Sequence, residues 1–358
     1  MIDSVLEQIQ ALQIKKDVFY ERGQFPSQRG KRRRAEDNTI FFNSLIAFTL
    51  QNIQPKLLHE HSKEKVDSIC NELKKSYPLY QNASGIQTFN FWKTVPPAFF
   101  PNSGFLLNLP AFHIPDDADC TSMIYLTDTS LDKHKLWLQK KLGEHANLSK
   151  SKIKNTFRNY RTFKAYSTWF GKKMPVEFDI CVQSNILYFV YKYQLPLTVQ
   201  DEQTLLLIHS QIQSGDYLKY AYYLSPSYKR KAIVLYHLAR LMENHTIPIL
   251  EDCRQIIKRD IELELKKSPV FMDRVILSTS LMRMGGTAEN IVLPGDLNRS
   301  MNDYAFFRAN LFSSYCRPAF RFISKTNIAD LNFYCKAYCL SLIAEYEVLK
   351  SYNHGASD

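Results

Sequence analysis

Glycine is scarce in this chain, with 11 among 358 residues. No phosphate-binding glycine loop can be placed, which argues against a nucleotide cradled by backbone amides. The Gly-x-Ser-x-Gly elbow of serine hydrolases is missing as well. None of the nine histidines forms a His-Glu-x-x-His pair, so that zinc-hydrolase chemistry has no seat. The seven cysteines are scattered and odd in number, which suits buried thiols in a reducing compartment better than a disulfide framework. No stretch approaches the roughly 20 apolar residues of a membrane span. The opening Met1-Ile2-Asp3-Ser4 has neither a basic region nor a long apolar run. A cytoplasmic location is the expectation.

Positive charge, by contrast, is in excess: 46 Lys and Arg against 35 Asp and Glu give +11. Its densest cluster is Arg29 with Lys31-Arg32-Arg33-Arg34, in a Gly- and Pro-punctuated stretch that reads as a mobile basic arm. Contact with an anionic membrane surface is the partner expected of such an arm. No nucleic-acid module accompanies it, so no nucleic-acid partner is expected.

The rest of the pattern is helical. Residues 39–53 are apolar on nearly all sides, through Ile40, Phe41, Phe42, Leu45, Ile46, Ala47, Phe48 and Leu50, with Asp37 or Asn38 as the expected cap. Residues 63–77 carry one stripe, Val66, Ile69, Cys70, Leu73 and Tyr77, and one wet face. The two kinds then recur: 178–193, 271–284 and 331–348 are rich in apolar residues, whereas 250–265 has a stripe. A helix that is apolar all round must be surrounded by protein, and a striped helix covers something and faces water. Two nested layers of ten to twelve helices are the economical solution. The expected fold class is therefore all-α, with an N-terminal helix and basic arm over 1–36 and a helical domain over 37–358. A short hairpin near 86–90 and 105–109 is the one place where strands compete.

Two stretches carry a resemblance. Pro115-Asp116-Asp117-Ala118-Asp119-Cys120-Thr121 is similar to the Asp-x-Asp-Asp-Thr motif of class II terpenoid cyclases. Asp179-Ile180-Cys181-Val182-Gln183-Ser184-Asn185-Ile186-Leu187 resembles an inner helix of related toroid proteins, patterned Asp-x-x-Val-x-x-Asn-x-Leu. The resemblance implies an α/α toroid of about six helical hairpins whose inner helices begin near the acids. It also implies that Asp119 matches the family's proton donor, with Asp117 beside it. Cys120 stands where the family has its third acid. With three Trp, the Gln-Trp repeats of triterpene cyclases are absent, and no Asp-Cys-His set of the prenyltransferase kind can be placed.

Protonating an alkene requires an acid that keeps its proton until the substrate arrives, and burial among like charges raises a carboxyl's pKa. The resulting cation needs stabilisation without a nucleophile, which aromatic faces supply. Asp119 and Asp117 are the candidate catalytic pair. Asp179, Asn185, Trp92, Phe89, Tyr188 and His113 are the candidate substrate-binding residues. Neither a cofactor nor a metal is expected for the protonation.

Other readings stay open. Asp116 as an N-cap with Asp119 three residues on would form a capping arrangement with no catalysis. Asp179 would cap its own helix, and Glu177 reads as a surface acid. Asn185 lies mid-helix among apolar residues, so it must be paired or face a polar cavity. The functional readings are an isoprenoid-processing enzyme of class II cyclase type, a non-catalytic toroid that binds a lipid or protein partner, and a carbohydrate-active toroid with Asp119 and Asp179 as facing acids. Tyr228-Lys229-Arg230-Lys231 and Arg317 with Arg321 are candidates for holding a diphosphate.

Overall fold

The computed structural model describes residues 2–95, 97, 114–171, 174–287, 289–292, 294–310, 325–326 and 330–355. His113, the 105–109 half of the expected hairpin, Cys316, Arg317 and Arg321 lie outside them. Among the described residues there are fourteen α-helices and one four-stranded sheet, so "all-α" is imprecise for this mostly helical chain.

The helices are α1 (Ile2–Leu12), α2 (Ile40–Ile53), α3 (Glu60–Lys74), α4 (Ala118–Thr127), α5 (Lys135–Glu144), α6 (Ile180–Lys192), α7 (Val199–Gln213), α8 (Asp216–Lys219), α9 (Ala221–Leu224), α10 (Lys231–Glu243), α11 (Arg254–Lys267), α12 (Phe271–Arg283), α13 (Leu297–Asn302) and α14 (Lys336–Gly355). Six of them form a closed cycle. α2 packs on α4, α4 on α6, α6 on α10, α10 on α12, α12 on α14, and α14 returns to α2. These are the helices with little polar face. Every residue of α4 is buried, and so is α10 from Ala232 to Met242. The striped helices cover them from outside. α3 lies on α2, α11 lies on α10 and α12, and α1 lies on α14. In α11 only Ile257, Ile261 and Leu265 are buried, four residues apart on one face. Burying each such side chain contributes about 1.5–3 kcal/mol before the entropy of ordering it is subtracted.

The helix starts have identifiable causes. Thr39, rather than Asp37 or Asn38, caps α2: its hydroxyl oxygen accepts from Phe41 N and donates to the Phe91 carbonyl. Asp179 caps α6 as expected. The final helix begins five residues later than its hydrophobic pattern suggests, because Asp330–Tyr334 is a strand.

That strand belongs to an antiparallel sheet in the order β2-β1-β4-β3, formed by β1 (Ser27–Gly30), β2 (Arg34–Asp37), β3 (Ala305–Asn310) and β4 (Asp330–Tyr334). Arg29 on β1 stands opposite Ala35 on β2 and Phe333 on β4. The expected mobile arm is thus a hairpin built into the fold. Gly30 turns it with φ 124°, where a Cβ would strike the Arg33 carbonyl. Arg29 is buried against Asp37 at 3.1 Å, and Arg34 bonds Asp303 at 2.7 Å. Lys31, Arg32 and Arg33 remain exposed at the turn. No described helix is long and apolar enough to cross a membrane.

Strands β3 and β4 cap the cycle at the end where its helices begin. Phe307 on β3 contacts Phe41 at 5.0 Å, Phe91 at 5.5 Å and Phe333 on β4 at 5.3 Å. Phe306 packs edge-on against Tyr338 at the start of α14, 4.7 Å between centroids.

Candidate functional site

The helix starts of the cycle are tied to one another by hydrogen bonds. The Phe89 carbonyl accepts from Asp117 N at 3.2 Å, and the Thr121 hydroxyl receives Phe89 N at 2.9 Å. Thr168 O accepts from Ala118 N, and Glu177 O accepts from Thr168 N. Asp179 accepts from Ser225 Oγ at 2.8 Å and from Ser227 N at 2.9 Å, joining α6 to the segment before α10. Arg230 and Tyr304 both donate to Asp273 in the first turn of α12.

Within this girdle the crowded acids point in different directions. Asp116 turns outward and accepts from Asn82 Nδ2 and Thr88 Oγ1, both at 2.5 Å. It borders an open hollow of about 530 Å³, lined also by Asn90, Ile114, His145 and Phe170. Asp117, not Asp116, caps α4, its Oδ1 taking Cys120 N at 2.6 Å. Its Oδ2 is buried without a partner. Burial, more than the neighbouring Asp119, pushes the Asp117 carboxyl up to about 8. Asp117 therefore acts on the helix start, and the expected capping box from Asp116 to Asp119 does not form.

Asp119 turns inward. Asn185 Nδ2 on α6 donates to its Oδ1 at 2.5 Å, and the Tyr228 hydroxyl donates to its Oδ2. Arg240 on α10 then donates through Nη2 to Asn185 Oδ1. A continuous buried line, Tyr228–Asp119–Asn185–Arg240, thus crosses three members of the cycle. Asn185 is paired on both faces of its amide, as its place in an apolar helix required. Burial raises the Asp119 carboxyl, and the Tyr228 and Asn185 hydrogen bonds oppose that rise. Burial likewise pushes Asp179 up to about 7. The Tyr228 ring meets Phe41, Phe306, Phe307 and His237 at centroid distances of 4.8 to 6.2 Å. His237 Nε2 has no partner there.

The other expected residues are distributed differently. Phe89 holds the start of α4 through its backbone. Trp92 donates Nε1 to Asp37 at 3.1 Å, on the side of the sheet. Tyr188 packs edge-on against Phe48 at 5.2 Å, further along α6. Glu177 is buried, with Trp169 Nε1 on its carboxylate at 3.2 Å, so it is no surface acid. Lys229 and Arg230 are committed to Asp330 and Asp273, and Lys231 to Glu264.

Tyr228 and Arg240 were not singled out with the acids. Tyr228 was hidden in a run of basic residues. Arg240 carried a signal, since it is the one arginine within the apolar Ala232–Met242 stretch, and a lone buried cation demands a partner. Neither family models, curated proteins nor solved structures match this chain.

Proposed function

We propose that the chain is an α/α toroid in which Asp119 donates a proton to an apolar, alkene-bearing substrate of isoprenoid type. Asp119 itself carries this reading: it is a buried carboxyl inside a closed cycle of helices, held by two neutral donors and bordered by aromatic faces. Burial raises the pKa of this carboxyl, which favours its protonated form. Once the proton leaves, the carboxylate is held by the Tyr228 hydroxyl and the Asn185 amide, and the Arg240 cation lies one hydrogen bond behind. The faces of Phe41, Tyr228 and Phe307 stabilise a carbocation without trapping it. Asp117 holds the start of the helix that presents the acid. The three exposed cations of the hairpin turn are the proposed contact with an anionic membrane, where such substrates reside.

The test is incubation of the full chain with linear polyprenyl diphosphates and their epoxides, with products read by mass spectrometry. Cyclised product from the wild type and none from a folded Asp119→Asn variant is the expected result. Product formation by Asp119→Asn would end the acid assignment.

One observation favours a second reading, a non-catalytic toroid that binds a lipid or protein partner. Both Asp119 oxygens are already bonded, and the surrounding rings fill the space at contact distance. On that reading no product forms with either chain. The buried positions of Asp119 and Asp179 lend no support to a carbohydrate enzyme, which needs two acids across a wet cleft.

A further inference from the structure

Away from the acids, the outer layer brings together three side chains that transition metals favour. His209 lies on α7, and Asp252 and Cys253 close the 3-10 turn Pro248–Cys253 that leads into α11. Their nitrogen, oxygen and sulfur atoms all lie within 4.8 Å of one another. His209 Nε2 is 3.0 Å from Asp252 Oδ2. Gln213 sits one helical turn beyond His209 and aims its amide at the same point, with Nε2 3.0 Å from Asp252 Oδ2 and 3.7 Å from Cys253 Sγ. A half-turn of that amide exchanges its nitrogen and oxygen and presents Oε1 instead.

We propose that His209, Asp252, Cys253 and Gln213 form a site for a zinc-class divalent metal that clips α7 to the start of α11. The donor set is mixed nitrogen, oxygen and sulfur, which suits a four-coordinate borderline-soft ion, whereas calcium and magnesium take oxygen alone. Ligands around such an ion stand roughly 3–4 Å apart; here His209 and Asp252 stand 3.0 Å apart, with the Cys253 sulfur within 4.8 Å of both. Cys253 is the N-cap residue of the 14-residue α11, yet its side chain makes no capping hydrogen bond. Burial and the neighbouring Asp252 hold the proton on the Cys253 sulfur, and a bound metal would displace it. The sulfur is buried, while the His209 and Asp252 side chains are 29% and 60% exposed, which leaves an entry path from solvent.

The experiment uses the full chain, stripped with a chelator and titrated with cobalt(II). The expected spectrum combines strong tetrahedral d–d bands with a thiolate-to-cobalt charge-transfer band, both lost when zinc displaces cobalt. Zinc should also raise the Tm. Cys253→Ser should remove the charge-transfer band, and Asp252→Asn, at an exposed position that tolerates change, should weaken cobalt binding. Gln213→Ala should weaken it about tenfold. A wild type without the charge-transfer band, a band that survives Cys253→Ser, or a Tm indifferent to zinc would reduce the cluster to an ion pair beside a thiol.

Discussion

Two buried polar centres lie inside the cycle of helices, and they are built on opposite terms. Near the helix starts, Asp117, Asp119 and Asp179 receive hydrogen bonds from backbone amides, hydroxyls and an amide side chain, and none touches a cation. Further along, Arg283 at the end of α12 meets Glu243 at 3.0 Å and also bonds Glu345, while the Tyr236 hydroxyl donates to Glu345 at 2.7 Å. Asp117, Asp119, Asp179, Arg283 and Glu345 are all buried, so burial does not explain the contrast. The partners do. Without a cation, burial drives the carboxyls toward the protonated form; with two glutamates beside it, the Arg283 guanidinium is held charged more firmly than usual. One centre holds carboxyls of raised pKa, and the other is an ionic brace.

The largest effect should come from breaking the brace. Arg283→Met leaves the buried Glu345 without its cation, and Glu243 with Lys56 alone, and should cost about 3–5 kcal/mol in urea unfolding. A loss within experimental error would erase the distinction between the centres.

A pH effect of comparable size is expected at the other centre. The folded Asp117 titrates at about 8, against roughly 4 when unfolded. The raised value means that folding holds the proton, so its contribution is fully present below about pH 4 and is lost as pH rises through about 8. Asp117→Asn keeps the capping oxygen and cannot ionise. Its stability relative to wild type should therefore climb between about pH 4 and pH 8 and level off above. Parallel curves would mean that Asp117 is ionised in the fold.

A smaller change is expected from Asp119→Asn, about 1 kcal/mol by thermal unfolding. The amide oxygen can still accept one of the two hydrogen bonds, and the Tyr228 hydroxyl can rotate to accept from the new amide. A loss as large as that of Arg283→Met would show that Asp119 is an anion in a brace of its own. The smallest effect belongs to the half-exposed pair Lys231–Glu264, where Lys231→Ala should change stability by less than about 0.5 kcal/mol.

Four helices of the cycle, α2, α6, α12 and α14, were legible because their sequences are rich in apolar residues. α2 and α12 were placed to within a residue or two, since Phe41 to Leu50 and Met272 to Met282 admit no other reading. The sheet was not legible. β1 and β2 read Ser-Gln-Arg-Gly and Arg-Ala-Glu-Asp, without apolar alternation, and they pair with strands at the far end of the chain. The acid-rich turn does begin a helix, but with another cap than expected: Asp116 precedes Asp117 by one residue, and only the fold says which carboxyl caps and which turns outward. Asn185 was expected to be paired or to face a polar cavity, and it is paired, but its partners Asp119 and Arg240 lie on other helices, where spacing carries no information. The His209, Asp252 and Cys253 cluster escaped for the same reason.

The cycle closes only through α14, which follows all its other members in the chain, and β1 finds its second neighbour only in β4. Until those late segments have left the ribosome, α2 has an uncovered flank and the early hairpin an open edge. Such a chain spends most of its synthesis as an incomplete arc with greasy ends. It should depend on holding factors more than a protein of equal size assembled from neighbours, and truncation before residue 330 should leave an aggregate rather than a smaller folded unit.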